Sequence, residues 1–459
     1  MARRPATTGS NTFLPMLTDV RRPLLAAPLC AWLTLIPVGA RAEAPATEAP
    51  LTLERAVALA AERNESVLSA DQRAQAADAR VARARAFFFP ELTASGTYTR
   101  RLHQSTREVG GQTVVLQKYD ALGANFTGRM TLFDARGFPL YTAAKLEGQA
   151  ARLDVREARR QVQFEAANAF LISLENQQVA SAAEQRLAFA RQGLEDAQAR
   201  ARAGLSSSND VTRAELEVAT AESGRASALG TAQTSNLELG YLLVERVGDS
   251  LAPPDVLLAE AARPSPALDV LTQGAADKRL DILAARLRVR SLEANAREPL
   301  ARLLPTLGAT AQYKLTNEAG LTGRVGDGFL SVDLTWNLFD GGERYAERRE
   351  RVANTRAAAL DEQARTRRVD VDIERARVAL ETARAALAQS DQAARAARKN
   401  AEETGVLYRQ GLSTALAVAD ASLRLFEAEV TLASSRYGLG VALLGLRASV
   451  GLDPLGKEP

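Results

Sequence analysis

The same landmarks occur twice along the chain, in the same order. Arg202-Ala203-Gly204-Leu205-Ser206 recurs as Arg409-Gln410-Gly411-Leu412-Ser413, 207 positions later. Leu132-Phe133-Asp134 recurs as Leu338-Phe339-Asp340 at an offset of 206. Several matches at a nearly constant offset indicate a tandem duplication, and internal repeats fix the architecture before any other signal. The fold must therefore be built from two similar units.

The N-terminus has the pattern of a secretory signal. Arg21-Arg22 precede a mostly apolar run from Leu24 to Gly39, which is followed by the small-x-small sequence Ala40-Arg41-Ala42. A basic region, a short apolar region and a small-residue cleavage site are typical of a signal peptide. We expect residues 1–42 to be removed on export, with Met16 as an alternative start.

The charge and composition exclude several classes of protein. Five of the 58 basic residues and one of the 55 acidic residues lie in the leader, so the mature chain would hold 53 and 54. A near-neutral chain gives no indication of nucleic-acid binding. The only cysteine, Cys30, lies in the leader, and the only histidine, His103, is expected in a solvated loop. Zinc, haem and triad chemistry need more of these residues. The sequence predicts no enzyme, no metal site and no cofactor.

Each half begins with a predicted helix that a proline ends. The two helices are expected at about Leu53–Phe88 and Leu268–Leu303, before Pro90 and Pro305. Proline cannot donate the backbone hydrogen bond and disfavours a helical conformation in the residue before it.

Strands follow each of these helices. Apolar and polar residues alternate over Leu307–Leu315, Leu330–Leu338 and, in the first half, Leu122–Leu132. A period of two residues indicates a strand with one apolar and one polar face. Runs of about ten residues are long enough for a tilted strand to cross a bilayer.

Two very long helices come next, at 141–203 and 344–410, with no proline and almost no glycine. Helices of roughly 95–100 Å need a coiled-coil-like partner, which a return helix after Gly204 and Gly411 would supply.

The expected boundaries are a signal peptide at 1–42, a first repeat at 43–247, a linker at 248–267 and a second repeat at 268–459. In the first repeat we expect strands at about 91–104 and 119–133, a long helix at 141–203 and a return helix at 205–243. In the second repeat we expect strands at about 306–316 and 328–339, a long helix at 344–410 and a return helix at 412–450.

These features together resemble the TolC-type outer-membrane efflux protein family over essentially the whole mature chain. Leu51-Thr52-Leu53-Glu54-Arg55-Ala56, Phe89-Pro90 and Leu338-Phe339-Asp340-Gly341-Gly342 are similar to the family's start, first helix end and strand-to-helix return. The resemblance implies a mainly α fold with a β-barrel part. In a homotrimer, four strands per chain would build a twelve-stranded outer-membrane β-barrel, and the helices would form a long periplasmic α-helical barrel.

Physical chemistry supports the trimer independently. Four strands cannot close a barrel, and an open sheet edge in lipid leaves backbone groups unsatisfied at a cost of several kcal/mol each. Subunits must therefore share one barrel, and three chains would give an even number of strands.

The resemblance also implies a function. The chain would be a passive exit duct of a tripartite efflux or type I secretion system, with a periplasmic adaptor and an inner-membrane pump as partners and outer-membrane lipid around its barrel. The substrate stays open among drugs, metal ions and proteins, although one histidine and three methionines disfavour dedicated metal export. A soluble periplasmic coiled-coil scaffold is the alternative, which the paired alternating strands disfavour.

The repeated turns match the family's helix tips, which dock on the adaptor. The alternative is two ordinary helix turns. Three chains would present six tips, which suits a hexameric adaptor. The docking residues implied by the resemblance are Arg202, Gly204, Leu205, Ser206, Arg409, Gly411, Leu412 and Ser413.

Acidic residues six and nine positions after the second tip glycine ring the closed end of the tunnel in the family. Here those positions are Ala417 and Asp420, so one ring is missing, while Asp210 occupies the sixth position of the first half. A ring of Asp420 is expected to bind a cation or favour cationic permeants, since charged rings do so in channels. The alternative is an ordinary solvated charge.

Tyr408, three positions before Gly411, stands where the family often has a gate-bonding tyrosine. Some members carry an arginine two positions after that glycine, but Ser413 stands there in this chain. The family's gate bond is therefore not assured.

Three other charged features have plain interpretations. Asp134 and Asp340 precede helices and are expected to be N-caps. The Arg/Glu mixture at 344–375 is expected to be a solvated helix face with i,i+4 ion pairs.

Overall fold

The fold is given by a computed structural model that describes residues 50–248, 250–318 and 324–458. The expected signal peptide at 1–42 lies outside this range. In chain order the elements are α1 (Leu53–Arg63), α2 (Glu65–Ala86), β1 (Glu91–Arg100), β2 (Ser105–Val109), β3 (Gln112–Gln117), β4 (Asp120–Phe133), α3 (Gly137–Arg202), α4 (Ser208–Leu243), α5 (Asp255–Ala261), α6 (Leu268–Thr272), α7 (Ala275–Lys278), α8 (Leu280–Asn295), α9 (Glu298–Ala301), β5 (Thr306–Thr316), β6 (Gly326–Thr335), α10 (Glu343–Arg409) and α11 (Ala415–Val450).

The two longest helices, α3 and α10, have 66 and 67 residues, and each forms a hairpin with a return helix of 36 residues. The same ion pair crosses both hairpins. Arg191 lies 2.8 Å from Glu222, and Arg398 lies 3.0 Å from Glu429, at an offset of 207. The duplication read from the sequence therefore extends to individual side-chain contacts.

The helices lie side by side in one layer. Towards the turns, α4 packs on α3, α3 packs on α11, and α11 packs on α10. Towards the strands, α2 packs on α3, and α8 packs between α3 and α10. Alanine supplies many of the buried positions of α3, which allows close approach of its neighbours. One end of this layer is α10. The other end is α4 towards the turns and α2 towards the strands.

The main hydrophobic core lies midway along the long helices, where α1 packs on α3, α11 packs on both α3 and α10, and α5 packs on α11. Its largest fully buried side chains are Phe170, Leu171, Leu239, Leu243, Ile282, Ile373, Leu380, Tyr437, Leu439 and Leu444. In the described ranges, none of the helices combines the length and the apolar character that a membrane-spanning helix requires.

Four strands form an antiparallel sheet in the order β1-β4-β5-β6. Its register places apolar residues on one face and mostly polar residues on the other, because side chains alternate along a strand. The apolar face carries Leu92, Ala94, Tyr98, Leu122, Phe126, Met130, Ala309, Ala311, Tyr313, Leu330, Val332 and Leu334. The other face carries Thr93, Ser95, Asn125, Thr127, Arg129, Thr310, Gln312, Lys314, Asp327, Phe329, Ser331 and Asp333.

The first helix of each half is interrupted, contrary to the expectation of one continuous helix. The Asn64 side chain accepts a hydrogen bond from the N–H of Ser66 at 2.9 Å and donates to the carbonyl of Leu242 at 3.1 Å. An asparagine that binds its own backbone ends one helix and caps the next. In the second half, the segment expected to form one helix is divided into four helices, α6 to α9. Gly274, which lies between α6 and α7, has a left-handed conformation.

Two further features, a hairpin and a short helix, were not expected. The segment predicted as a strand to residue 104 ends at Arg100, and a separate hairpin of β2 and β3 follows, closed by Gly110 and Gly111 with positive φ. The segment between the repeats contains the short helix α5, which packs on α11.

Asp134 and Asp340 are not the N-caps expected from the sequence. The carboxylate of Asp134 accepts the N–H of Arg136 at 2.9 Å and pairs with its guanidinium group. The Asp340 carboxylate accepts the N–H of Gly342 at 3.0 Å. Arg136 and Gly342 are the N-cap residues of α3 and α10. Each carboxylate therefore stabilises the turn before its helix.

The start of α10 is more buried than a solvated face. Arg344 is buried and pairs with Asp340, while Arg351 lies 3.2 Å from the buried carboxylate of Glu298 on α9. Further along, Arg368 and Asp372 form the exposed i,i+4 pair that the sequence predicts. Arg344 and Arg351 thus connect the start of α10 to neighbouring elements, whereas Arg348, Arg349 and Glu350 between them are exposed as the sequence predicts.

Candidate functional site

The two repeated turns have the same backbone geometry. Gly204 and Gly411 have φ values of +71° and +80°, the left-handed region in which glycine is favoured. The N–H groups of Leu205 and Leu412 each donate to a carbonyl five residues earlier, both at 2.9 Å. This is the Schellman closure of a helix end. Each turn therefore reverses the chain and starts a return helix.

Each tip presents a leucine to solvent. Leu205 and Leu412 are both 72% exposed, because the glycine before each of them directs the chain away from its own helices. Arg202 and Arg409 are exposed as well, while Ser206 and Ser413 are half-buried. The predicted docking residues thus form two small knobs, each with an apolar side chain beside a cation.

The second tip is the more apolar of the two. Val406, Leu407 and Leu416 are exposed around it. At an offset of 207, the corresponding residues of the first tip are Ala199, Arg200 and Asn209. The backbones match, but the surfaces that the two tips offer to a partner differ.

Asp210 has a structural role in the first tip. Its N–H donates to the Ser207 hydroxyl at 3.3 Å, and its carboxylate accepts the N–H of Ser207 at 3.2 Å, which completes a capping box. In the second tip, the Thr414 side chain accepts the N–H of Ala417 at 3.2 Å, and Ala417 has no carboxylate to return the bond. Because Ala417 replaces the aspartate, the second return helix has the Thr414 cap but lacks the reciprocal carboxylate bond of the capping box.

Asp420 is exposed on the second return helix and is paired. Its carboxylate lies 2.8 Å from the guanidinium group of Arg424, one turn later, and this contact raises the pKa of Arg424. The charges are reversed in the first half, where Arg213 and Glu217 correspond, and Glu217 pairs with Arg186 of α3 at 2.8 Å. The aspartate that the sequence assigns to the aperture is thus beside a cation of its own helix.

Tyr408 contacts the other hairpin. The guanidinium carbon of Arg200 lies 4.7 Å from the centroid of the Tyr408 ring, and the same guanidinium donates to the Tyr408 carbonyl. The Tyr408 ring is buried, and its hydroxyl has no hydrogen-bond partner among the described residues. Sequence reasoning identified Tyr408 but missed Arg200. The repeat shows only that the counterpart of Arg200 in the second half is Leu407, and it gives no sign that Arg200 contacts Tyr408.

This architecture, a duplicated helical hairpin unit on a small antiparallel sheet, has counterparts among known proteins. The family described as outer membrane efflux protein matches residues 56–243 and 271–452, which is most of the chain. The chain belongs to that family. It is an outer-membrane efflux channel with a large periplasmic part, and the family is one of channels rather than enzymes.

Individual relatives agree with this assignment. The chain is 26% identical over 416 residues to outer membrane efflux protein BepC of Brucella suis, covering 89% of this chain and 87% of that protein. It is 26% identical over 207 residues to outer membrane protein TolC of Vibrio cholerae, covering 44% and 47%. The crystal structure of outer membrane protein VceC from Vibrio cholerae has the same fold, with a TM-score of 0.71, 18% identity, and coverage of 87% and 96%.

The capping box predicts a difference in local stability between two substitutions at the first tip. Asp210→Ala removes the reciprocal cap and should destabilise the start of α4 by about 1 kcal/mol, so its first amides should exchange faster with deuterated solvent. Asn209→Ala, one position earlier, removes an exposed side chain outside the box and should leave exchange unchanged. Equal exchange in both variants would contradict the assigned cap.

Proposed function

We propose that the chain is the passive exit duct of a tripartite efflux or type I secretion assembly and that it works as a homotrimer. The observation that carries the proposal is the open sheet. Within the described residues, β1 and β6 are its edge strands, each paired on one side. Open edges in a bilayer cost several kcal/mol per unsatisfied backbone group.

The direction of the strands supports closure by identical copies. All neighbours in the order β1-β4-β5-β6 are antiparallel, so β1 and β6 run in opposite directions. The edge β6 of one copy can therefore pair with β1 of the next in an antiparallel ladder. Three copies would close twelve strands, with the apolar face towards outer-membrane lipid and the polar face towards a water-filled lumen.

The tips support docking on a periplasmic adaptor. Two knobs per chain would give six in a trimer, which matches six copies of one adaptor hairpin. Exposed leucines at Leu205 and Leu412 would contribute apolar contacts, and Arg202 and Arg409 would contribute charge complementarity. An inner-membrane pump would supply the energy, because the duct itself has no proposed catalytic residue.

The double substitution Leu205→Asp with Leu412→Asp tests the docking role. A charge at both knobs should abolish export of the assembly's substrates, measured as drug susceptibility or secretion in cells. The protein should still reach the outer membrane and have the mass of a trimer in detergent. Val256→Asp, at an exposed position on α5, is the matched control and should export normally. Normal export from correctly inserted Leu205→Asp, Leu412→Asp trimers would exclude docking at these knobs.

We also propose that Asp420 contributes a ring of three carboxylates at the periplasmic aperture, with Arg424 partly compensating each one. Asp420→Ala should reduce cation preference and block by trivalent cations in single-channel recordings. Arg424→Ala should have the opposite effect, since it exposes the carboxylate. If neither changes the selectivity while Asp210→Ala does, the ring belongs to the first repeat.

Arg200 is proposed to hold the two hairpins together in the closed aperture. Arg200→Ala removes both the cation–π contact and the hydrogen bond to the Tyr408 carbonyl, and should raise the basal conductance of reconstituted channels. Tyr408→Phe keeps the ring and the carbonyl, so the basal conductance should not rise. An increase with Tyr408→Phe as large as that with Arg200→Ala would show that the hydroxyl, not the arginine contact, holds the aperture.

A further inference from the structure

An apolar patch lies on the open side of the return helix α4, far from the tip. Leu237, Tyr241 and Val244 are 75%, 79% and 44% exposed, and their spacing of four and three residues places them on one side of the helix end. They line a groove of about 810 Å³ together with the segment that follows the helix. Exposed apolar side chains in such a row indicate a contact surface.

Val244 is held in an unfavourable backbone conformation. Among the described residues it is the only non-glycine residue with positive φ, at +55°, and it ends α4. The corresponding residue of the second half is Gly451, with φ of +93°, where glycine serves the same helix end without a steric penalty. A β-branched residue in this region is an outlier, and strain of this kind is retained where a side chain has a role.

A matching pair of residues lies at the other end of the helix layer. Val371 and Val378 on α10 are 41% and 51% exposed, and their spacing of seven residues places both on one side of that helix. Since the layer runs α4, α3, α11, α10, the two apolar surfaces lie at its opposite ends.

The two surfaces lie at the same height above the tips. Leu237 and Val244 are 29 and 36 residues beyond Ser208, the start of α4, which is roughly 44–54 Å at helical rise. Val378 and Val371 are 31 and 38 residues before the end of α10, which is roughly 47–57 Å. A rotation axis along the helices keeps heights unchanged, so these residues would meet between neighbouring copies.

We infer that Leu237, Tyr241 and Val244 of one copy pack against Val371 and Val378 of the next copy, forming an apolar seam midway along the helical barrel. The inference rests on the proposed trimer and names the residues that join its helical part. The α4 of one copy would run antiparallel to the α10 of the next, as it does to its own α3. The occupant of the groove is therefore a second copy of this chain.

Engineered disulfides test the seam directly, because the expected mature chain has no cysteine. Tyr241→Cys with Val378→Cys, oxidised in isolated outer membranes, should give covalently linked trimers on a non-reducing gel. Tyr241→Cys with Val256→Cys is the matched control, since Val256 is exposed on α5, and it should give no link between copies. Trimers by mass without the Tyr241–Val378 link would overturn the seam and leave the proposed trimer standing. Protein that is monomeric by mass would overturn both.

Two substitutions at Val244 separate a packing role from tolerated strain. Val244→Gly relieves the backbone strain and removes the side chain, whereas Val244→Ala removes the side chain and keeps the strain. If the side chain packs in the seam, both variants should lower the temperature at which the detergent-solubilised trimer dissociates. An unchanged temperature with Val244→Ala would overturn the seam, because that variant removes the side chain without relieving the strain.

Discussion

The unpaired edges of the four-stranded sheet determine what the rest of the molecule must do. The outer N–H and C=O groups of β1 and β6 need partners wherever lipid surrounds them, and β1 and β6 are not partners within one chain. The helix layer has the same property, since α4 and α10 are its open ends. A chain that is open at both ends of the sheet and of the helix layer would be completed by the closed ring of copies proposed above.

The duplication supplies a symmetric frame on which the two halves have diverged. Both tips share the same closure by glycine, and the ion pair of Arg191 and Glu222 has an equivalent in the second hairpin. The side chains near the tips differ, because Asn209 corresponds to Leu416 and Glu217 to Arg424. Six tips in the proposed trimer would therefore be of two kinds. An adaptor with identical subunits would have to accept both.

Much of the fold follows from periodicity alone. Alternation over two residues identified the strands, and the absence of proline identified the long helices, since both signals are local and repeat over many residues. The interruption at Asn64 was missed because one asparagine in a helical pattern competes for backbone hydrogen bonds only in a particular setting. The contact of Arg200 with Tyr408 was missed because it joins residues 208 positions apart, and no local pattern encodes it.

The contacts at the tips bear on the proposed aperture. Asp210 uses its carboxylate as a helix cap, and Asp420 is paired with Arg424, so neither is a bare acid. The contact between hairpins is instead a guanidinium group stacked on a ring and bonded to a carbonyl. The partners of this guanidinium group are an aromatic face and a backbone carbonyl, and no carboxylate takes part in either contact. A closed aperture held in this way would depend on the geometry of packing rather than on the ionisation of an acidic ring.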